Sequence, residues 1–422
     1  MSRPNTPKSQ LGLLRLGVAL VAFLPRSAVA EGDSSVHLSG NVSTYAATGN
    51  RKLDDVSDVK GINGVLKINA RLNRHVGLYV DLRHSLSPYG SANWYNGLRE
   101  GYLSADVGNF SVRLGRQIIV WGRADKFNPT DNLTPTDYQI LSPNDEAQRF
   151  GTAALQVQYF ATAQYTVTGI VLPAFHSSIL PSGLYPPQLT GSQPVQDYSL
   201  HTLEWALKLD KAGGRLDWSV SYYHGYALLP AVLVNSKFQP LLTNPRINVL
   251  GADFATTAGQ FGFRGEAAYT RVKSATVALA TPPKSYFYSV LGADRQVGWH
   301  VMVNVQWLYH HVYGFQNPAQ TPVMLQPIEL GNAAAFNQFH GNENGVAIRL
   351  SRNFMNDNLR TSLAALYYFE GADYAIRPKL IYAFNGHWVG SVFADDYQGP
   401  AHSYFGYLKK NSLVMAEITY EF

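Results

Sequence analysis

Stretches of ten to fourteen residues in this chain alternate between apolar and polar side chains, one for one. Ile62, Leu66, Ile68, Ala70 and Leu72 alternate with Asn63, Lys67, Asn69 and Arg71. Val301, Val303, Val305, Trp307 and Tyr309 alternate with His300, Asn304, Gln306 and His310. The same rhythm runs through Val76–Arg83, Thr202–Asp210 and Phe261–Thr270. Successive side chains of a strand point to opposite faces, so each stretch has one apolar face and one polar or charged face. Strands of soluble proteins average about 5–6 residues, whereas a tilted strand that crosses a bilayer needs about 9–11. The length of the alternation therefore favours membrane strands over a soluble sandwich.

Eighteen such segments are expected, from about residue 36 to residue 422, with sixteen as the alternative count. Their connections alternate too. Short ones fall at 73–75, 108–109, 162–163, 211–213, 257–259 and 297–298, and long ones, such as 122–151, 175–200, 228–245 and 313–342, lie between them. Proline, which cannot donate to a ladder, is kept out of the short turns and enters expected strands only at Pro173 and Pro378. Short turns at one end and long loops at the other are the layout of an all-β, transmembrane, antiparallel up-and-down barrel. Closure follows from the medium, because an open sheet edge in lipid would strand unpaired N–H and C=O groups.

Composition fits once the first thirty residues are set apart. They hold Arg3, Lys8, Arg15 and Arg26, no acid, the apolar run Leu16–Leu24, and then Ala28-Val29-Ala30. A basic start, a short apolar core and an Ala-x-Ala site are the three parts of a cleaved export signal. The expected organisation is thus a signal peptide over 1–30 and one barrel over 31–422. Of 34 Lys and Arg, four lie in that segment, which leaves 30 against 29 Asp and Glu. The formal charge of +5 is then no argument for a nucleic-acid partner. With no cysteine, the chain has no disulfide framework, thiolate metal site or thiol nucleophile.

Alternation turns Lys67, Arg83, Arg113, Arg264, Arg349, Arg377 and Lys379 inward, together with Asp81, Glu204 and Glu266. An Arg or Lys facing lipid at mid-depth costs about 2–4 kcal/mol, so energy supports the same assignment. The inward bases outnumber the acids, which points to a preference for anions in a wet lumen. The segment 121–150, WGRADKFNPTDNLTPTDYQILSPNDEAQRF, is the richest in charge: Arg123, Asp125, Asp131, Asp137, Asp145 and Glu146 lie within it. Its Asp and Asn spacing lacks the glycine and closing Glu of a calcium loop of the EF-hand type, so no metal is expected.

The last strand carries Val414, Ala416, Ile418, Tyr420 and Phe422 on one face. A final strand closing on Phe422, with Tyr420 two before it, resembles the signal that bacterial outer-membrane barrels present to their assembly machinery. Leu114-Gly115-Arg116-Gln117 with Trp121-Gly122 and Asn128-Pro129-Thr130-Asp131-Asn132 is similar to a stretch in porin-like barrels, among them alginate-export-type barrels. In porins the third long loop folds into the barrel, and the resemblance implies the same for 122–151, the third here. It implies a passive, water-filled channel in the outer membrane for small polar solutes, anions among them. The partners would be outer-membrane lipid and the barrel assembly machinery, with a homo-oligomer left open by the residues. Two other readings remain: an exporter of a secreted polymer such as an exopolysaccharide, and a surface-structural or adhesive barrel with a closed lumen. Exporters of acidic polysaccharide have strongly basic lumens, whereas here acids are interspersed.

An enzyme is not expected. No phosphate-cradling glycine loop occurs, and no Ser/His/Asp grouping stands out. His310 and His311 are neighbours on a strand and point to opposite faces, so they cannot share a metal ion. No cofactor is expected either.

Overall fold

The computed structural model describes residues 34–50, 57–86, 97–184, 202–273 and 283–422; the candidate export segment 1–30 lies outside the described residues. Eighteen strands form one antiparallel sheet. They are β1 (Ser35–Gly49), β2 (Asp58–Arg71), β3 (Val76–Leu86), β4 (Gly97–Val107), β5 (Phe110–Gln117), β6 (Thr152–Phe160), β7 (Tyr165–Leu172), β8 (Glu204–Lys211) and β9 (Leu216–Tyr226). After a separate hairpin of β10 (Ala231–Val234) and β11 (Pro240–Thr243) come β12 (Arg246–Ala258), β13 (Phe261–Val272), β14 (Tyr286–Val297), β15 (Val301–Val312) and β16 (Asn342–Phe354). The sheet ends with β17 (Leu359–Tyr368), β18 (Asp373–Ala383), β19 (Trp388–Gln398) and β20 (Leu413–Glu421).

β1 pairs with both β2 and β20, which closes the barrel. At the seam Gly40 and Phe422 exchange both backbone hydrogen bonds, each at 3.0 Å. Residues opposite one another in an antiparallel pair share a face, so one exposed strand fixes the whole wall. Leu250 is 56% exposed and Val249 beside it 3%, which makes the face of Leu250 the outside. Leu114, Leu207, Leu291, Leu363 and Ile418 share that outer face and are exposed. Such an outer wall suits lipid and would be untenable in water.

The connections divide by end as alternation requires. Those between β2 and β3, β4 and β5, β6 and β7, β8 and β9, β12 and β13, β14 and β15, β16 and β17, and β18 and β19 are turns of two to four residues. At the other end they run long, apart from 369–372, which joins β17 to β18 in four residues. Pro173 falls just past β7. Pro378 stays inside β18, at a point where the ladder to β19 skips residues 377 and 378.

Three local expectations change. Alternation predicts an unbroken strand over 95–107 apart from Arg99-Glu100, where its pattern fails, and the structure has a β-bulge there: Asp81 faces Glu100 and Leu82 faces Leu98, so Arg99 is the extra residue. Alternation predicts a last strand over 404–422, and that strand begins only at Leu413. Tyr404–Leu408 is instead a short helix, α2 here, capped by Ser403, whose hydroxyl accepts from the Gly406 N–H. Asp373 accepts from the Phe405 N–H at 2.6 Å, and the Phe405 ring packs against Tyr368 and Tyr397, 5.5 and 5.9 Å between centroids. Finally, the connection 313–341 carries a helix, α1 (Gln326–Phe336), on which the β10–β11 hairpin docks. The Asn332 side chain there accepts from the Val232 N–H and donates to its carbonyl, at 2.8 and 2.9 Å, imitating a ladder pair.

Candidate functional site: a loop strung across the lumen

The connection from β5 to β6, residues 118–151, runs inside the barrel. Apolar residues begin the inward course: Ile119, Trp121 and Leu133 are buried against inward Ala154, Ala206, Val249 and Ala268, a patch of small wall residues that leaves room for an indole. Thr134 closes the loop on itself, its hydroxyl accepting from the Ile119 N–H at 2.8 Å and donating to the Ile119 carbonyl at 2.7 Å. Glu100, beside the bulge, accepts from the Ile118 N–H at 2.7 Å.

The first limb of the loop is held by wall carboxylates. Glu266 of β13, 2% exposed, accepts from the backbone N–H groups of Arg123 (3.2 Å), Ala124 (3.3 Å) and Thr130 (2.7 Å), and from the Thr130 hydroxyl (2.8 Å). Arg123 is paired with Asp253 of β12 and with Asp210 of β8, the latter at 3.2 Å. Gly122 lies against this carboxylate at φ 104, where an added Cβ would sit 2.4 Å from a Glu266 oxygen. Only glycine fits there. Asp125 continues the contact, pairing with Arg264 at 2.9 Å and accepting from Asn304 and Gln306 of β15.

The second limb meets the opposite kind of wall. Leu141 packs with Tyr45, Val59, Phe393 and Met415, which are inward residues of β1, β2, β19 and β20. Lys379 donates to the Pro143 carbonyl at 3.0 Å. Arg377 pairs with Asp145 at 2.5 Å and also with Asp395. Arg99 donates to the Glu146 and Arg149 carbonyls at 2.6 and 2.8 Å and pairs with Asp81 at 2.9 Å, while Arg83 donates to the Ala147 carbonyl. Here the wall is cationic and the loop supplies oxygen.

The two limbs are clasped by Asp131 and Arg149 at 2.5 Å. Burial pushes the Asp131 carboxyl up to about 6, against the pull of Arg149. Burial would raise Asp145 as well, but Lys126 and Arg377 outweigh it and hold that carboxyl below the usual carboxylate range. Asp137 is fully buried and accepts from the Gln139 N–H at 2.8 Å, so its charge closes a turn of the loop and does not face the lumen. Glu146 pairs with Arg149 at 3.2 Å and is exposed.

Among the other wall residues, Lys67 stands opposite Asp81 across β2 and β3. Arg113 lies over the Tyr102 ring at 5.5 Å. Glu204 is buried and engaged by the Tyr223 hydroxyl (2.6 Å) and the Tyr226 N–H (2.9 Å), away from the loop. Arg349 shares its inward level with Ala364 and, one strand further, Arg377. Lys379 lies within reach of the charges of Arg349, Arg377 and Lys126. Tyr420 and Phe422 sit on the outer face beside Trp388, with Tyr420 5.1 Å from that indole. His310 is buried inward against Tyr286 and Tyr288, while His311 faces out and bonds Asn342 at 2.7 Å, so the two rings part as strand geometry demands.

Sequence reasoning passed over Arg99, Asp210, Asp253, Asn304 and Asp395. Asp253 and Asp395 were findable by parity, since each sits on the inward face of its strand. Arg99 was hidden by the bulge.

The sequence matches no protein-family model and no curated protein. Solved structures do match its fold. One is the outer membrane protein OpdK from Pseudomonas aeruginosa: 9% identity, 92% of this chain and 99% of that one covered, TM-score 0.56. The same protein with vanillate matches at 9% identity, 92% and 98% coverage and TM-score 0.55. A BenF-like porin from Pseudomonas fluorescens matches at 9% identity, 92% and 98% coverage and TM-score 0.54. At this identity the likeness is one of fold, and the fold is that of outer-membrane porins.

Proposed function

We propose that the protein is a passive outer-membrane channel for small polar solutes, anions preferred, with residues 118–151 setting its aperture. The observation that carries the proposal is the loop itself, tied to carboxylates of β8, β12 and β13 on one side and to cations of β3, β4 and β18 on the other. A segment bound on both sides must narrow whatever passes. Arg349, Arg377 and Lys379, with Lys67, Arg83 and Arg113 further round, give the wall beside the loop a positive field, and lumen charges tune selectivity. The vanillate bound to the structurally similar OpdK protein is a small carboxylate, which fits such a wall.

Planar-bilayer recordings of the purified full chain in a salt gradient test this. Wild type is expected to conduct with a reversal potential on the anion side, and deletion of residues 124–148 to raise conductance several-fold. A deletion variant with unchanged conductance would remove the loop from the aperture. A wild-type barrel that never conducts would leave only the closed-scaffold reading.

A further inference from the structure

The outer wall differs from one side of the barrel to the other. Toward the long-loop ends of β8, β13, β17 and β18 it carries Trp205, Tyr269, Tyr367 and Tyr374, all exposed. Such a band of aromatics anchors a barrel at the membrane–water interface. Among the described residues the band stops at β19. On β4 to β7, Leu98, Leu114, Leu155 and Val171 take its place, still apolar and exposed. From β19 to β3 the wall turns polar. Val414 of β20 is outward and exposed; Thr48 lies opposite it, Asp58 opposite Thr48, and Lys60 two residues along the same face. Val414 also pairs with Ala394, two residues before Asp396 on that face, and His84 of β3 pairs with outward Gly64. Thr48, Asp58, Lys60 and His84 are exposed, and Asp396 is half-buried.

Register sets the depth of these charges. The rung that begins at Trp388, the first residue of β19, passes Tyr420, Val42 and Gly64 and reaches His84, two residues from the long-loop end of β3. Rungs therefore climb from β19 toward β3. With strands about 4.8 Å apart and tilted about 40°, the climb over the three steps from β19 to β2 is roughly 9 Å. The rung of Lys60 runs through Ala46 and Ala416 to Val392. Asp396 is four residues above Val392, a rise of roughly 10 Å at this tilt. Lys60 and Asp396 thus stand at one depth, one strand to either side of the β20–β1 seam.

We propose that the arc from β19 to β3 is where a second copy of the chain docks, Lys60 of each against Asp396 of the partner subunit. Two upright barrels that meet face to face exchange left and right, so β2 of one lies against β19 of the other. A two-fold axis along the seam then makes both pairs at once, which is the self-complementarity such a contact requires. Ala46 and Ala416, paired across the seam and both exposed, let the walls approach closely. A lipid phosphate attracted by Lys60 would be repelled by Asp58 and Asp396, whereas a second copy offers both signs. The inference rests on the membrane-spanning barrel and not on the aperture loop.

The chain has no cysteine, which makes disulfide trapping clean. The test oxidises the double variant Lys60→Cys/Asp396→Cys in intact outer membranes and follows it by non-reducing electrophoresis. Within one barrel the two positions are three strands apart, roughly 14 Å and beyond the reach of about 7 Å between Cα atoms, so a bridge must join two copies. The double variant is expected to run as a multimer, and the control Leu207→Cys/Leu291→Cys, on the aromatic side, as a monomer. A double variant that stays monomeric, or cross-links no more than the control, overturns the proposal. Native mass spectrometry in mild detergent supplies an independent comparison should the cysteine variant not show heat-modifiable migration. There the wild-type multimer is expected to be lost in Lys60→Asp and regained in Lys60→Asp/Asp396→Lys. Absence of that rescue overturns the Lys60–Asp396 pairing, and a wild-type monomer carrying bound lipid would give the arc to lipid instead. Single-channel conductance is expected to stay at the wild-type level in every variant, so a failure here is distinct from a failure of the channel reading.

Discussion

The two sides of the lumen hold the same loop by opposite means. On the β8–β13 side, wall carboxylates accept from loop N–H groups and from Arg123; on the β18–β4 side, wall cations donate to loop carbonyls and to Asp145. A loop has both donors and acceptors to satisfy when it leaves water, and dividing them between two walls of opposite sign satisfies both.

Removing the carboxylate side should do the most damage. Glu266→Ala strips one buried acceptor from three N–H groups and a hydroxyl, and the expected cost is about 3 kcal/mol. It should show as a lower unfolding midpoint and as a noisy, enlarged single-channel current. On the cationic side the load is spread over Arg83, Arg99, Arg377 and Lys379, so Arg377→Ala should cost about 1–2 kcal/mol and leave conductance closer to wild type. If Arg377→Ala opened the pore more than Glu266→Ala, the contrast drawn between the two walls would be wrong. Reversing both Arg377 and Lys379 to Glu should move the reversal potential toward cations, and an unmoved potential would show that these charges only brace the loop. The smallest effect is expected from the clasp between the limbs. The folded pKa of Asp131, about 6, lies above that of an unfolded Asp, about 3.9. Its contribution is therefore greatest below about 4 and fades as pH rises to about 6. Asp131→Asn should abolish that slope, seen as a change of roughly a few degrees in the pH dependence of the unfolding midpoint.

Much of this was legible in the chain because a strand has a two-residue period, and one error in parity would invert a whole face. The long strands, eighteen of them or sixteen, and the inward position of Arg264, Glu266, Arg377 and Lys379 follow from alternation, and closure follows from the lipid around them. The pairings inside the lumen do not, because they join residues far apart in sequence: nothing local says that Asp125 meets Gln306, or Asp145 meets Arg377. Local exceptions were lost for local reasons. The aromatic run Tyr404–Leu408 alternates well enough to pass for strand, and only Gly399-Pro400 and the capping Ser403 argue otherwise. Nineteen residues over 404–422 was already too long for one crossing.

The order in which the chain is made gives the crossed loop a further meaning. Residues 118–151 are synthesised in the first half, yet their anchors arrive late: Thr130 waits 136 residues for Glu266, and Pro143 waits 236 for Lys379. Contacts that distant form late, since the intervening chain must be ordered first. The barrel is therefore expected to exist briefly as an unobstructed tube, selective only after its loop settles. The first currents recorded as unfolded chain inserts into a bilayer should be larger than those that follow.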